Sequence, residues 1–224
     1  MSYIVKLKRF LYQEFMPVNK GLIVLTIVIN ILILIFDGLL GLNFRSLFLL
    51  RTADMFTAPW TLITFPLINE PISLIFAAIA LWFVGGSVER TWGSKRYSWL
   101  VVLVTLTTGV VFSLVSMYLN KTILIFGLWL PLTSIIWAWS RLFPYQEVLV
   151  WGILPVKAVW FGWIAAALAF FSYFDRGILF GLASITGIGI AHLFITKGNY
   201  GGGRYRRREG NPRKVRTSRL RLIK

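Results

Sequence analysis

Cysteine is absent from this 224-residue sequence, histidine occurs once, as His192, and only eight residues are acidic. The lack of cysteine excludes disulfides, thiolate metal ligands and cysteine nucleophiles among these residues. With a single imidazole, a zinc site built from side chains would depend almost entirely on scattered carboxylates. We therefore expect no metal site and no other cofactor.

Apolar residues are what the sequence has in excess: they make up 57% of it, against 14% charged residues, and the mean hydropathy is +0.74. Soluble domains of this size do not show such a balance, so the chain is predicted to be a polytopic membrane protein. Because the hydrocarbon core of a bilayer is about 30 Å thick, a spanning helix needs about 20 mostly apolar residues. Such segments predict an all-α membrane protein with six transmembrane helices. They cover 21–42, 72–88, 97–118, 122–140, 150–172 and 177–196.

These spans divide the chain into three parts. Residues 1–19 mix charged and aromatic residues without a continuous apolar run, which predicts an amphipathic segment on the membrane surface rather than a cleavable signal. Residues 20–197 are the predicted six-helix domain, with a long first loop over about 43–71 in the outer interface. Residues 198–224 are a basic segment with a glycine-rich start, and they are predicted to be disordered when free.

Basic residues indicate the orientation of the chain in the membrane. An even number of spans places both termini on one side, and twenty of the 24 lysines and arginines then fall on that side. Lysine and arginine are enriched on the cytoplasmic side of membrane proteins. We therefore predict a multi-pass integral membrane protein with both termini cytoplasmic.

The most specific motif is the stretch GGSVE, from Gly85 to Glu89, which is followed by Gly93-Ser94. Further along the chain come the stretches GLWLPLTSIIWAWSRLFP, ILPVKAVW and IAHLF. In order and spacing, these stretches resemble the second, fourth-to-fifth and sixth spans of rhomboid intramembrane serine proteases. The resemblance covers about 60–197 and implies a six-transmembrane-helix rhomboid-like bundle with a long interfacial first loop.

Active members of that family use a serine in a Gly-x-Ser-Gly motif on the fourth span and a histidine on the sixth, with a His-x-x-x-Asn pair on the second span supporting the oxyanion. The chemistry needs these groups because a hydroxyl is a weak nucleophile without an adjacent base, and a tetrahedral oxyanion needs donors already aimed at it. Here the matching positions are Trp129 for the nucleophile, Ser73 and Ala77 for the oxyanion pair, and His192 for the base. The resemblance thus implies a degenerate site without catalytic residues.

Two other serines are candidates for a replacement nucleophile. Ser134 lies five residues after Trp129, which rotates it by about 140° around a helix. Ser184 shares a face with His192 but lies about 12 Å from it along the helix. Neither arrangement forms a dyad. We therefore favour a structural imidazole, hydrogen-bonded to a neighbouring helix, over a functional one at His192.

Three further features have interpretations based on packing. Ala183, Gly187 and Ala191 form a stripe of small residues that lets a neighbouring backbone approach, and the resemblance implies that this neighbour is the fourth span. Asn30, in the middle of the first span, is interpreted as forming an interhelical hydrogen bond rather than a client contact. Glu89 is interpreted as the capping carboxylate of a structural turn rather than a general acid.

The basic tail has two candidate ligands. A basic residue near an anionic leaflet is worth about 1 kcal/mol, so binding to anionic lipids requires no protein partner. Contact with RNA or a ribosome is the alternative, because interleaved arginine and tyrosine also suit phosphates and bases. The tail residues assigned to this binding are Arg204, Arg206, Arg207, Arg208, Arg213 and Lys214.

The resemblance and the degenerate site together predict a catalytically inactive rhomboid-like protein that binds transmembrane segments of partner proteins, as an adaptor, a chaperone or a quality-control factor. A client helix would enter between the second and fifth spans. The alternative is a structural subunit of a larger membrane protein complex. Trp129, Trp137 and Trp139 either line a lateral gate for a partner helix or fill the core and the interfacial belt.

Overall fold

The computed structural model describes residues 16–150 and 154–197. The predicted surface segment before residue 16 and the basic tail from residue 198 onward, including its six assigned lysine and arginine residues, lie outside the described residues. The first helix begins at Pro17, three residues before the boundary predicted at residue 20. Proline suits this first helical position because its fixed φ fits a helix and its missing N–H would have no intrahelical partner there.

Among the described residues, four helices are long enough and apolar enough to cross a membrane, and all four overlap predicted spans. Helix α1 runs over Pro17–Leu39, with its last turns, Leu34–Leu39, in π-helical form. Helix α2 covers Pro71–Trp92, helix α3 covers Ser94–Leu119, and helix α6 covers Ile178–Lys197 with a break at Ile185. The structure therefore has the helical, membrane-spanning architecture that the hydropathy predicts.

The fourth and fifth predicted spans begin later than their hydropathy suggests. Helix α4 covers Trp129–Leu142 and is 14 residues long, and helix α5 covers Ala158–Phe174 and is 17 residues long. The predicted starts at residues 122 and 150 are wrong because the chain forms strands there. These helices are shorter than the about 20 residues that a straight crossing requires, so the count of six spans stays a prediction.

The described residues contain two small antiparallel sheets, and one strand of each falls within a segment that was expected to be helical. Strand β1, Leu50–Arg51, pairs with β2, Leu124–Ile125, and β3, Glu147–Val150, pairs with β4, Leu154–Lys157. Pro155 explains the second case, because a proline in a helix interior removes a hydrogen bond and clashes with the preceding turn.

The segment between α1 and α2 is packed against the bundle through short turns. It contains 3-10 turns at Phe44–Leu47, Thr52–Asp54 and Phe65–Leu67 and a single helical turn at Thr61–Thr64. Its buried side chains join a cluster with residues of α3, α4 and α6. This cluster comprises Leu50, Leu62, Phe65, Phe112, Ile125, Leu130, Phe180 and Ala183.

Helix α4 lies at the centre of the bundle. Most of its side chains are buried, and it packs against α2, α5 and α6. A short helix can be central because neighbouring helices cover it on several sides and apolar side chains such as Leu132, Ile135 and Ala138 fill the space between them. The start of α4, where Trp129 lies, contacts the segment that precedes α2.

Candidate functional site

The turn that leads into α4 has its backbone donors occupied. Gly127 adopts a φ of +96°, a conformation that favours glycine, and its N–H donates to the Phe65 carbonyl at 3.0 Å. The N–H of Leu128 donates to Oδ1 of Asn69 at 2.9 Å. These amides belong to the stretch that corresponds to the family's nucleophile motif. Both are satisfied within the protein, so neither is available to an oxyanion.

Asn30 holds Asn69 in this position. Its Oδ1 accepts a hydrogen bond from the Asn69 N–H at 2.9 Å, and its Nδ2 donates to the carbonyls of Leu67 and Thr26, each at 2.7 Å. The expectation of a structural hydrogen bond is confirmed. The partner, however, is the segment before α2 rather than another helix, because that segment is folded into the bundle.

Trp129 is the first residue of α4, and its side chain is 40% exposed. The two positions that match the oxyanion pair lie on α2. Ser73 is exposed and donates to the Glu70 carbonyl at 2.9 Å, whereas the methyl group of Ala77 is buried in the core. A hydroxyl that is engaged with its own helix and a methyl group cannot together stabilise a developing oxyanion.

His192 does not lie beside Trp129. Its ring contacts Trp137, with a centroid distance of 6.2 Å, and Trp137 follows Trp129 by eight residues. Eight residues correspond to about 12 Å along a helix. The His192 side chain is exposed, and it makes no hydrogen bond to any residue within 16–150 or 154–197. The structure therefore corrects the prediction of a hydrogen-bonded imidazole, since the ring packs on an indole instead.

A second contact fixes how α4 and α6 are aligned. A methyl group added at Gly187 would lie 2.7 Å from the Ser134 hydroxyl, so these two residues face each other. Ser134 faces Gly187, and Trp137, which lies further along α4, contacts His192, which lies further along α6. The two helices therefore run in the same direction. Extending this alignment back along both helices places Trp129 at about the same level as Ser184, not at the level of His192.

Neither buried serine forms a pair with His192. The Ser184 hydroxyl donates to the carbonyls of Ala169 and Gly181, each at 2.7 Å. The Ser134 hydroxyl faces Gly187, which precedes His192 by five residues and therefore lies about 140° around α6 from it. The hydroxyls of Ser134 and Ser184 are therefore both out of hydrogen-bond reach of the His192 imidazole.

The predicted stripe of small residues is confirmed as a packing seam. Ala183, Gly187 and Ala191 are all buried, and α4 packs against α6 along this face. A methyl group at Gly187 would also come within 2.8 Å of the Thr108 hydroxyl on α3. Glycine is thus required where α3, α4 and α6 meet.

The GGSVE stretch positions a buried carboxylate at the opposite end of α2 from Ser73. Glu89 is 1% exposed, and its oxygens accept hydrogen bonds from the backbone N–H groups of Val18 and Asn19 at 3.2 and 2.8 Å and from the Ser94 hydroxyl at 2.6 Å. Val18 and Asn19 are in the first turn of α1, where backbone donors lack intrahelical partners. The interpretation of Glu89 as a capping carboxylate is confirmed, and the helix that it caps is α1.

The two glycines of the motif let α1 approach α2. The Asn19 side chain donates to the Leu81 carbonyl at 2.8 Å and accepts from the Tyr97 hydroxyl at 2.9 Å. A methyl group at Gly85 would lie 2.5 Å from Oδ1 of Asn19, so a larger residue would displace this network. The stretch Leu81–Gly85 is π-helical, which brings the Leu81 carbonyl into reach.

Sequence reasoning missed Asn19, Asn69 and Arg141. The two asparagines act on elements that are distant in sequence, and no local pattern marks them. Arg141 carries a detectable signal, because it follows Trp137 by four residues and these positions are neighbours on one helix face. Its guanidinium lies over the Trp137 ring, with 4.4 Å between its central carbon and the ring centroid.

These apolar helices and their buried polar contacts define the chain as a helical integral membrane protein. The family model for the Rhomboid domain matches residues 57–197, which is more than half of the chain. The chain therefore belongs to the rhomboid family. A search of curated proteins gave no match.

Proposed function

We propose that this rhomboid-family protein is catalytically inactive and binds transmembrane segments of partner proteins, as an adaptor, a chaperone or a quality-control factor. One observation carries the first half of the proposal. The imidazole of His192 lies on Trp137, about two helical turns from Trp129, which occupies the nucleophile position. General base catalysis requires the base within hydrogen-bond reach of the hydroxyl that it deprotonates.

The surroundings of Trp129 support the same conclusion. An indole has no oxygen that could attack a carbonyl, and the amides of Gly127 and Leu128 are engaged by Phe65 and Asn69. An oxyanion could use these two amides only by displacing their internal hydrogen bonds. The nucleophile position therefore lacks an oxygen, and two of the backbone donors beside it are already engaged.

Partner binding is proposed for the faces of α2 and α5. Both helices expose large apolar side chains at helical spacing, which suits contact with another helix within a bilayer. The half-exposed Trp129 and the exposed Ser73 would border a client helix that enters between them. His192 packs on Trp137 and is not assigned to this contact. The exposed residues are Ile72, Ile75, Phe76, Ile79 and Phe83 on α2 and Trp160, Trp163, Ile164, Leu168 and Phe171 on α5.

The second candidate function is a structural subunit of a larger membrane protein complex. The same exposed faces would then be covered by permanent partners. In both cases we place the termini on the cytoplasmic side and assign the basic tail to anionic lipids, with RNA or a ribosome as the alternative ligand. Ribosomes recovered with the detergent-extracted protein would favour that alternative.

Photocrosslinking in native membranes tests partner binding. A photoreactive amino acid at Ile79 or Leu168 is expected to crosslink to apolar segments of other membrane proteins. The matched control is Val28, which is also exposed and apolar but lies on α1. Similar crosslinking from all three positions would contradict the proposal, because it would indicate general membrane exposure. A single partner at fixed stoichiometry would favour the subunit function.

A fluorophosphonate probe tests inactivity. The purified protein is expected to remain unlabelled under conditions in which an active rhomboid protease is labelled, because no described hydroxyl on α4 or α6 is paired with the imidazole of His192. Stoichiometric labelling of Ser134 or Ser184 would overturn the proposal.

A further inference from the structure

Trp137, Trp163 and Arg141 form a cluster where α4 ends and α5 begins. The two indoles meet edge to face, with 5.1 Å between their centroids. The central guanidinium carbon of Arg141 lies 4.4 Å from the Trp137 centroid and 5.5 Å from the Trp163 centroid. Stacking against two aromatic rings holds a guanidinium in place through cation–π attraction and restricts its rotation. Arg141 is therefore oriented before any ligand binds.

Two N–H donors of this cluster have no acceptor in the described part of the chain. Nε of Arg141 and Nε1 of Trp137 are buried without hydrogen-bond partners among residues 16–150 and 154–197. No carboxylate in those ranges forms an ion pair with Arg141, whereas Arg51 at the other end of the bundle pairs with Asp54 at 3.5 Å. A fixed guanidinium without a carboxylate partner is suited to bind an external oxoanion in a bidentate manner.

The cluster lies near one end of the bundle. Arg141 is in the last turn of α4, and Trp163 is in the second turn of α5, which begins after Lys157. A methyl group at Gly162 would overlap the Ser140 hydroxyl, so these two helix ends are in close contact. Because α6 runs in the same direction as α4, its terminal Lys197 belongs to the same end. The guanidinium thus lies at the last turn of α4 and beside the second turn of α5, near the end of the bundle, where a membrane-spanning helix meets lipid headgroups.

Charge distinguishes this end from the other. At the end that contains Arg141, the described residues include seven basic and two acidic ones. One of the two acidic residues, Glu89, is hydrogen-bonded to the start of α1. The opposite end carries four residues of each sign. The residues at the first end are Lys20, Arg90, Lys95, Arg96, Arg141, Lys157, Lys197, Glu89 and Glu147, and those at the second are Arg45, Arg51, Lys121, Arg176, Asp37, Asp54, Glu70 and Asp175.

From these observations we propose that Arg141, held between Trp137 and Trp163, binds the phosphate of an anionic phospholipid. The lipid source is favoured over a soluble phosphate because Trp163, whose ring lies 5.5 Å from the guanidinium carbon, is half-exposed and would contact the glycerol and acyl groups. The basic end attracts anionic headgroups over zwitterionic ones. This site includes no residue of the basic tail. It shares Trp163 with the α5 face proposed for partner binding, but it is argued from contacts of Arg141 that the partner proposal does not use.

Native mass spectrometry of the full-length protein tests the proposal, with phosphatidylglycerol, phosphatidylcholine and inorganic phosphate as probes. We expect tight retention of one phosphatidylglycerol, and an about tenfold increase in its Kd in Arg141→Gln, as the loss of a charge-assisted bidentate contact predicts. Arg141→Lys keeps the charge but loses the planar fork, so an intermediate loss is expected. Thermal unfolding of each variant monitors its folding.

The matched control is Arg176→Gln. Arg176 also lies over an aromatic ring, that of Tyr173 at 5.3 Å, but at the opposite end of α5. The basic tail is present in every variant, so its contribution cancels in the comparison. Equal loss of phosphatidylglycerol in Arg141→Gln and Arg176→Gln would overturn the proposal. Equal retention of phosphatidylcholine, or protection by inorganic phosphate alone, would also overturn it, because the ligand would then not be an anionic lipid.

Discussion

Near each end of α2, a side-chain oxygen accepts hydrogen bonds from backbone N–H groups of another segment, but the two contacts have different consequences. At one end, the Glu89 carboxylate accepts the backbone N–H groups of Val18 and Asn19 and thereby holds the start of α1. At the other end, the Asn69 amide accepts the N–H of Leu128 and holds the turn before α4. Both contacts satisfy backbone donors near helix starts, where such donors lack intrahelical partners.

The consequence of each contact depends on where it lies. The Glu89 contact lies in the motif that resembles the family's structural turn, and it joins three helices. The Asn69 contact lies beside the nucleophile position, where free backbone donors would be needed for an oxyanion. The chain thus has contacts that hold the bundle together, and beside the nucleophile position it uses the Leu128 N–H for packing.

The largest effect is expected from Glu89→Ala. This change leaves two backbone N–H groups of α1 and the Ser94 hydroxyl without their acceptor in a buried position, so the free energy of unfolding should fall by about 3 kcal/mol. Equilibrium unfolding in detergent, followed by tryptophan fluorescence, measures the difference.

The control for Glu89→Ala is Glu70→Ala. Glu70 precedes the first residue of α2 but forms no capping hydrogen bond through its side chain, so its loss should change stability little. Equal destabilisation by the two changes would show that the hydrogen bonds accepted by Glu89 make no specific contribution to stability, and it would remove the contrast between the two ends of α2.

A smaller effect is expected from Asn69→Ala. The Leu128 N–H loses its acceptor and Asn30 keeps its contact with the backbone of residue 69, so the loss should be about 1 to 2 kcal/mol. The same unfolding measurement applies. Asn43→Ala is the matched control, because Asn43 is exposed and its side chain caps no helix. A loss in Asn69→Ala that does not exceed the control would mean that the turn before α4 does not depend on this amide.

Hydropathy predicted the long helices well because a membrane crossing requires a continuous apolar stretch, and α1, α2, α3 and α6 each contain one. It failed at the starts of α4 and α5, where apolar residues form strands instead. Apolar content alone does not distinguish a buried strand from a helix. Pro155 was visible in the sequence and marks the second of these errors.

The residues assigned to the candidate site stay a prediction, and the position of His192 along the bundle differs from the one expected. Counting along matched motifs identified Trp129, Ser73 and Ala77, and it grouped His192 with them. Counting along one chain does not determine how far two helices slide past each other, and the structure brings His192 to Trp137 instead. The roles of Asn19 and Asn69 were not predicted because their partners are distant in sequence. Asn19 and Tyr97, for example, are separated by 78 residues.

Because of the way α4 and α6 are aligned, Trp129→Ser alone should not create a serine that reacts with a fluorophosphonate probe. The change supplies a hydroxyl at the nucleophile position, but the imidazole of His192 remains about 12 Å further along the bundle, beyond the reach of a general base. The amide of Leu128 also stays bonded to Asn69. Fluorophosphonate labelling, followed by mass spectrometry of the peptide containing residue 129, should therefore match that of the unsubstituted protein. Thermal unfolding establishes that the variant is folded. Labelling of the new serine that disappears when His192→Ala is added would contradict the alignment, because it would require the imidazole to reach the start of α4.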